Sequence, residues 1–316
     1  MLVKEILEVY EILDSAYADG EKIEGYFRSI QKDCDITVKR ICGEGGFTDT
    51  VKIRIPGKKG KMKGQDAPTL GIIGRLGGLG ARPERIGFVS DGDGALAVLA
   101  AGAKLLKMYR QGDQLEGDVI ISTHICPNAP TLPHKPVPFM GSPVNMEQMN
   151  QTEVDPQADA VLSVDTTKGN RILNHCGFAI SPTVKEGYIL KVSEPLLELM
   201  EIVSGEAPHV FALSMQDITP YGNGVFHLNS ILQPAVATDA PVVGVAITTA
   251  STVPGCATGA TKIESIDETA RFLLETAKAY TQGGCEFYDR TEFNLLIEKY
   301  GSMKHLLTKG RTPGGR

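Results

Sequence analysis

Four short, strongly apolar runs, set apart by helix-length amphipathic segments, constrain this chain more than any other feature. Leu70–Gly74 (LGIIG), Val119–Thr123, Ala160–Val164 and Val242–Thr248 have strand length, and the first has no polar face at all. Strands that alternate with helices call for a mostly parallel sheet covered on both faces. The expected fold class is therefore α/β, three-layer, with a mostly parallel mixed sheet flanked by helices. At 316 residues the chain can bury a large core. We read it as a single domain over 1–316, with residues 1–66 as a helical and β-meander beginning and 301–316 as a loose tail.

The remaining elements follow from local pattern. Residues 2–17 place Leu2, Ile6, Val9, Tyr10, Leu13 and Tyr17 on one helical face. A second helix is expected over Lys22–Lys32, and strands over Asp35–Ile41 and Val51–Ile55. Further strands are expected at Ile86–Val89, Cys176–Ser181, Tyr188–Val192 and His209–Leu213. Helices are expected from about Gly94 to Arg110, at Glu194–Val203 behind a Ser193 cap and Pro195, at Gly224–Leu232, at Ser265–Gln282 and at Thr291–Tyr300.

Composition narrows the function classes. A net charge of -6 with mixed signs argues against a nucleic-acid binder driven by overall charge. The basic run Lys58–Lys63 is broken by glycine and reads as a solvated loop. No apolar run approaches the roughly 20 residues of a membrane span, and Met1–Gly20 is charged and amphipathic. We expect a cytoplasmic protein. Its six scattered cysteines form no C-x-x-C pair and are expected to be reduced. The glycine-rich segment Arg75–Pro83 matches neither nucleotide-binding template, because Pro83 stands where a third glycine is needed and no G-K-[ST] follows.

In parallel sheets, ligands sit at the carboxyl ends of the strands. Arg75, Asp91, His124, Cys126 and Asp165 all fall at expected strand ends. Asp91 and Asp165 suit a cation or a shared proton. His124 and Cys126, two apart, point to the same side of an extended segment. They suit zinc, with His134 or an aspartate completing the set. They equally suit a thiolate–imidazole pair, or a buried thiol beside a histidine bonded to backbone. Thr252–Gly259, which contains Cys256, looks like a pocket-lining loop of small residues. Gly222-Asn223-Gly224 reads as a turn or as an anion-accepting backbone nest.

The order of these pieces resembles the co-catalytic zinc aminopeptidases, the superfamily that includes the tetrahedral and glutamyl aminopeptidases. The chain as a whole is similar to an archaeal and bacterial family of about this length, a domain of unknown function. The resemblance implies a zinc-aminopeptidase-like fold. It sets Ser90-Asp91-Gly92-Asp93 at the D-D-[RK] motif, with Asp91 at the metal-bridging place, and Val164-Asp165-Thr166-Thr167 at a later ligand strand. Arg75 stands where the first histidine ligand belongs. Pro127 and Asn128 stand near the paired glutamates, and Thr252–Gly259 lacks the last histidine. The inserted dimerisation domain is absent.

This pattern implies a degraded metal site. One reading is a remodelled hydrolase that uses Asp91, Asp165, His124 and His134 with one divalent metal, zinc or similar, and His124 with Cys126 as catalytic residues. Another places the Arg75 guanidinium between Asp91 and Asp165, where it would bind an amino-acid-like ligand together with Asn223 and Cys256. The alternative is a non-catalytic oligomeric binding or scaffold protein on a former metallopeptidase fold. The expected partner is a small amino-acid or peptide-like ligand. Nucleic acid and membrane are not expected partners, and the resemblance implies a homo-oligomer.

Overall fold

The computed structural model describes residues 1–75, 79–83, 85–135, 137–213 and 229–307. The chain opens with α1 (Val3–Leu13) and α2 (Gly20–Ile30), then the hairpin β1 (Asp35–Gly43) and β2 (Gly46–Ile55). Next come β3 (Leu70–Gly74), the short β4 (Ala81–Arg82) and α3 (Asp93–Arg110). Then follow β5 (Val119–Ile125), β6 (Ala129–Leu132), β7 (Phe139–Met140) and α4 (Met146–Glu153). The second half holds β8 (Ala160–Thr166), β9 (Gly177–Ile180), β10 (Val184–Lys185) and β11 (Tyr188–Ile189). It continues with α5 (Glu194–Ser204), β12 (Val242–Thr248), α6 (Ile263–Thr281) and α7 (Arg290–Tyr300).

The main sheet runs β1-β2-β5-β3-β8-β12-β10-β11, with β9 also paired to β12. Its centre, β5-β3-β8-β12, is parallel, and the four apolar runs of the sequence build it. The flanks are antiparallel, through β2 on β5 and through β9 and β10 on β12. Alternate residues divide the two faces. Ile72, Ile121, Leu162 and Val243 join the large core with α1, α2, α3, α5 and α6. Ile73, Val161 and Val242 join a smaller core with Val154, just past α4, and with the 3-10 turn Ser230–Val236. Helical cover thus lies on both faces. Burying these apolar side chains is worth roughly 1.5–3 kcal/mol each, and that places the driving force for folding in the sheet core.

α3 enters this frame at very close range. A methyl group on Gly94 would lie 2.8 Å from the Val164 carbonyl oxygen, so only glycine lets the helix start abut the ends of β3 and β8.

Several expectations need correction. Ile86–Val89 is not a strand. Gly87 adopts φ +99, the Phe88 N–H donates to Asp14 rather than to a neighbouring strand, and the Ile86 side chain is exposed. His209–Leu213 yields a single bridge from Val210 to Ile180. The expected Tyr188–Val192 strand is only the two residues of β11. Of Gly224–Leu232, the described part is a 3-10 turn that continues to Val236 rather than an α-helix, and residues 224–228 lie outside the described residues. The eight-residue α4 has no counterpart in the expected elements. Among the described residues no helix is long and apolar enough to cross a membrane.

Candidate functional site

Strand register brings the site together. Gly74 pairs with Thr123 of β5 on one side and with Val164 of β8 on the other. The next residue of each strand is Arg75, His124 and Asp165, so three side chains stand in one row on the face that α4 covers. They line a cavity of about 310 Å³ at the carboxyl edge of the sheet. Asp91, in a 3-10 turn ahead of α3, reaches the same cavity. This turn is pinned to the loop after β12. The Asp91 N–H donates to the Gly255 carbonyl at 3.1 Å, and the Ser90 N–H donates to that of Thr258 at 3.0 Å. Gly255 packs closely on this turn, and a methyl group there would lie 2.0 Å from an Asp91 carboxylate oxygen and displace that side chain.

The two walls of the cavity differ. Asp91, Asp165 and the segment Thr166–Asn170 make a polar wall. Leu132, Val137, Met140, Met146 and Met149 make an apolar one. This apolar wall comes from the small sheet β4-β6-β7 and from α4. A capping box between Asn145 and Gln148 starts α4 despite its short length.

The central charge cluster was not visible in the sequence. Glu153, the last residue of α4, is fully buried. One of its oxygens accepts from Arg75 Nη1 at 2.7 Å, and the other lies 2.7 Å from His124 Nδ1. Burial works against its charge, but Arg75 and then His124 outweigh burial, and the carboxyl is held below the usual glutamate range. The expectation that Arg75 lies between Asp91 and Asp165 is therefore corrected. A buried carboxylate with no cation would be costly, and Glu153 claims the guanidinium. Arg75 Nη2 also donates to the Met146 sulfur at 3.4 Å. The only local trace of this arrangement was the N-x-x-Q signal of α4.

His124 has a second telling property. Its Nε2 is buried and has no hydrogen-bond partner among the described residues. One ring nitrogen is held by a carboxylate, and the residue as a whole is among those that line the cavity.

A second buried pair lies beside the first. Asp93, the first residue of α3, accepts from Thr261 Oγ1 at 2.6 Å and lies 3.5 Å from Lys168 Nζ. Burial raises its pKa to about 6, against the pull of Lys168 and Thr261. Asp93 is thus more than a turn former, and Lys168 is a cavity residue that the sequence reading passed over.

The other candidates go elsewhere. Cys126 and Cys256 are buried together in a small cluster with Ala81, Val89, Ala129 and Met140, behind the cavity rather than among its lining. Burial pushes the Cys126 thiol up, away from the thiolate a nucleophile needs. So His124 and Cys126, only two residues apart, do not share the cavity. Thr252, Val253 and Gly255 do line it, as expected of their loop, while Cys256 does not. His134 stands on the apolar wall with Nδ1 3.1 Å from the Val137 carbonyl. Asn223 lies outside the described residues. Among the described residues no three His, Cys, Asp or Glu side chains form a group that could hold a metal ion.

The protein is thus a three-layer α/β fold, a mostly parallel mixed sheet flanked by helices, with a cavity at the carboxyl edge of its central strands. Among solved structures it is similar to the bottromycin maturation enzyme BotP in complex with Mn, with a TM-score of 0.53 and 16% identity, over 89% of this chain and 71% of that one. At this identity the likeness is one of fold. The chain belongs to the family described as protein of unknown function (DUF1177), whose model matches residues 39–310. No curated protein matches the sequence.

Proposed function

We propose that the protein is a hydrolase-like enzyme with a remodelled site, acting on an amino-acid or peptide-like small molecule, with His124 as its general base. The observation that carries this reading is the Arg75–Glu153–His124 chain beside the cavity that His124 lines, in which Nε2 has no hydrogen-bond partner among the described residues. With the Nδ1 proton donated to Glu153, the lone pair resides on Nε2. Arg75 fixes Glu153, and Glu153 fixes the ring. A base oriented by a third group is the arrangement that acid–base catalysis requires.

In the reaction, Nε2 takes a proton from water as the water oxygen bonds to the substrate carbonyl carbon. Glu153 stabilises the imidazolium that results. The imidazolium then returns the proton to the leaving nitrogen as the C–N bond breaks. Cys126, with its raised thiol and its place behind the cavity, takes no part.

The aminopeptidase resemblance implies a divalent metal, zinc or similar, and the BotP complex carries Mn. The donors among the described residues do not close a metal site, so no step is routed through one. Asp91 and Asp165 remain the carboxylates to which a bound cation, or a substrate ammonium, would be drawn.

The test is a panel of dipeptides and amino-acid amides, incubated with and without added Mn or Zn and read by mass spectrometry. Turnover of at least one compound is expected, with His124→Gln reducing kcat/KM by about 10²–10⁴-fold. No turnover under any condition, or an unimpaired His124→Gln protein, defeats the reading and favours a non-catalytic binding protein. Metal analysis of the same samples is the companion measurement. Near one equivalent, lost in an Asp91→Ala and Asp165→Ala double variant, would assign the metal to those carboxylates.

A further inference from the structure

The segment that follows β8 has a property that the reaction itself does not use. Three consecutive-turn residues, Thr167, Lys168 and Asn170, line the cavity, and all three have donors to spare. The Lys168 side chain is only 7% exposed, and its sole partner among the described residues is Asp93, at 3.5 Å. An ammonium has three donors, so most of its capacity is unused. Thr167 Oγ1 is buried with no hydrogen-bond partner among the described residues. The Asn170 oxygen is occupied by the N–H groups of Ile172 and Leu173 at 2.8 and 2.9 Å, which leaves its amide nitrogen as the donor. Buried donors of this kind are costly unless something accepts from them.

The rest of the cavity restricts what that acceptor can be. Asp91 and Asp165 line the same space and repel a simple anion, but they attract a cation. The opposite wall offers Met140, Met146 and Met149, flexible apolar side chains that adapt to an unbranched group. We infer that the site takes a zwitterionic, dipeptide-like molecule whose free carboxylate is held by Lys168 with Thr167 and Asn170. Its ammonium group lies towards Asp91 and Asp165, and its apolar side chain rests on the methionine wall.

This rests on the cavity being the reaction site, and binding can be measured apart from turnover. Alanyl-methionine and its C-terminal amide are titrated calorimetrically into the His124→Gln protein. The acid is expected to bind, and the amide to bind about tenfold or more weakly, because one charge-assisted contact is lost. Lys168→Gln should bind acid and amide alike. If Lys168→Gln fails to fold because Asp93 loses its cation, Thr167→Val carries the test, with a smaller loss confined to the acid. Equal binding of acid and amide by the His124→Gln protein, no binding of either, or an undiminished preference in the variants overturns the inference. A preference for the acid without turnover in the wild type would defeat the hydrolase reading and leave this one standing. Turnover without that preference would do the reverse.

Discussion

The two ends of β5 carry buried polar side chains with opposite histories. Asp118, just before the strand, is fully buried and accepts from the N–H groups of Gly57 at 2.8 Å and Met62 at 2.9 Å. Gly60 packs so tightly on this carboxylate that a side chain there would overlap it. His124, near the other end, is as well buried but only half satisfied, with Nδ1 held and Nε2 without a partner. A polar group whose oxygens are both taken by backbone N–H groups of a neighbouring segment holds the fold together. One left with an unmet atom beside a cavity is available for chemistry. The contrast separates structure from function more sharply than burial or residue type does.

The largest effect that would test this contrast is kinetic. His124→Gln should lose about 10²–10⁴-fold in kcat/KM while its thermal midpoint stays near that of the wild type. A large fall in stability would place His124 with Asp118 as a structural residue. Next is Arg75→Met, which strands a buried carboxylate and should cost about 3–5 kcal/mol in denaturant unfolding. The Arg75→Met and Glu153→Leu double variant should recover most of that loss, since it leaves no charge unpaired. Failure to recover would mean that Arg75 acts through something other than Glu153. Asp118→Ala should cost about 1–3 kcal/mol for each N–H left without its acceptor, with kcat/KM unchanged.

Acid gives a subtler reading. The Glu153 carboxyl is held below its unfolded value, so its contribution is complete above the ordinary glutamate range and is lost as pH falls through the folded value. Wild-type stability should decline there, and Arg75→Met should show less of that decline. Unfolding titrations on the two proteins check it. The smallest effect is at Cys126. Its replacement by alanine should cost about 1 kcal/mol and leave turnover intact, whereas a large kinetic loss would restore the thiol to the reaction.

Much of the architecture was legible because local pattern encodes it. The runs that became β3, β5, β8 and β12 announce a sheet buried on both faces, and Ser193 with Pro195 announces α5, where the Ser193 side chain accepts from the Leu196 N–H. Asp91, Asp165, His124, Arg75 and His134, picked out from expected strand ends and loops, all line one cavity. The failures share a physical cause. Ile86–Val89 has a strand's composition, but its conformation is set by Asp14, over 70 residues earlier. Glu153 belongs to the site through contacts 78 and 29 residues back along the chain. No short window of sequence contains both Glu153 and the cation that compensates it. Adjacent candidates diverged for the same reason: after β5 the chain turns, and the Cys126 thiol passes behind the cavity while His124 stays at its wall.

The separate origin of the two cavity walls has a consequence for how such proteins diversify. The reacting and charge-bearing groups are dispersed over β3, β5, β8 and three loops, so a change to any of them disturbs the sheet. The apolar wall is drawn from a single contiguous stretch, Leu132–Met149. On the reading proposed above, one recombination event or one short insertion in the gene could therefore exchange the apolar wall while leaving Arg75, His124 and Glu153 in place. Swapping that stretch between members of the family offers a compact route to new substrate ranges.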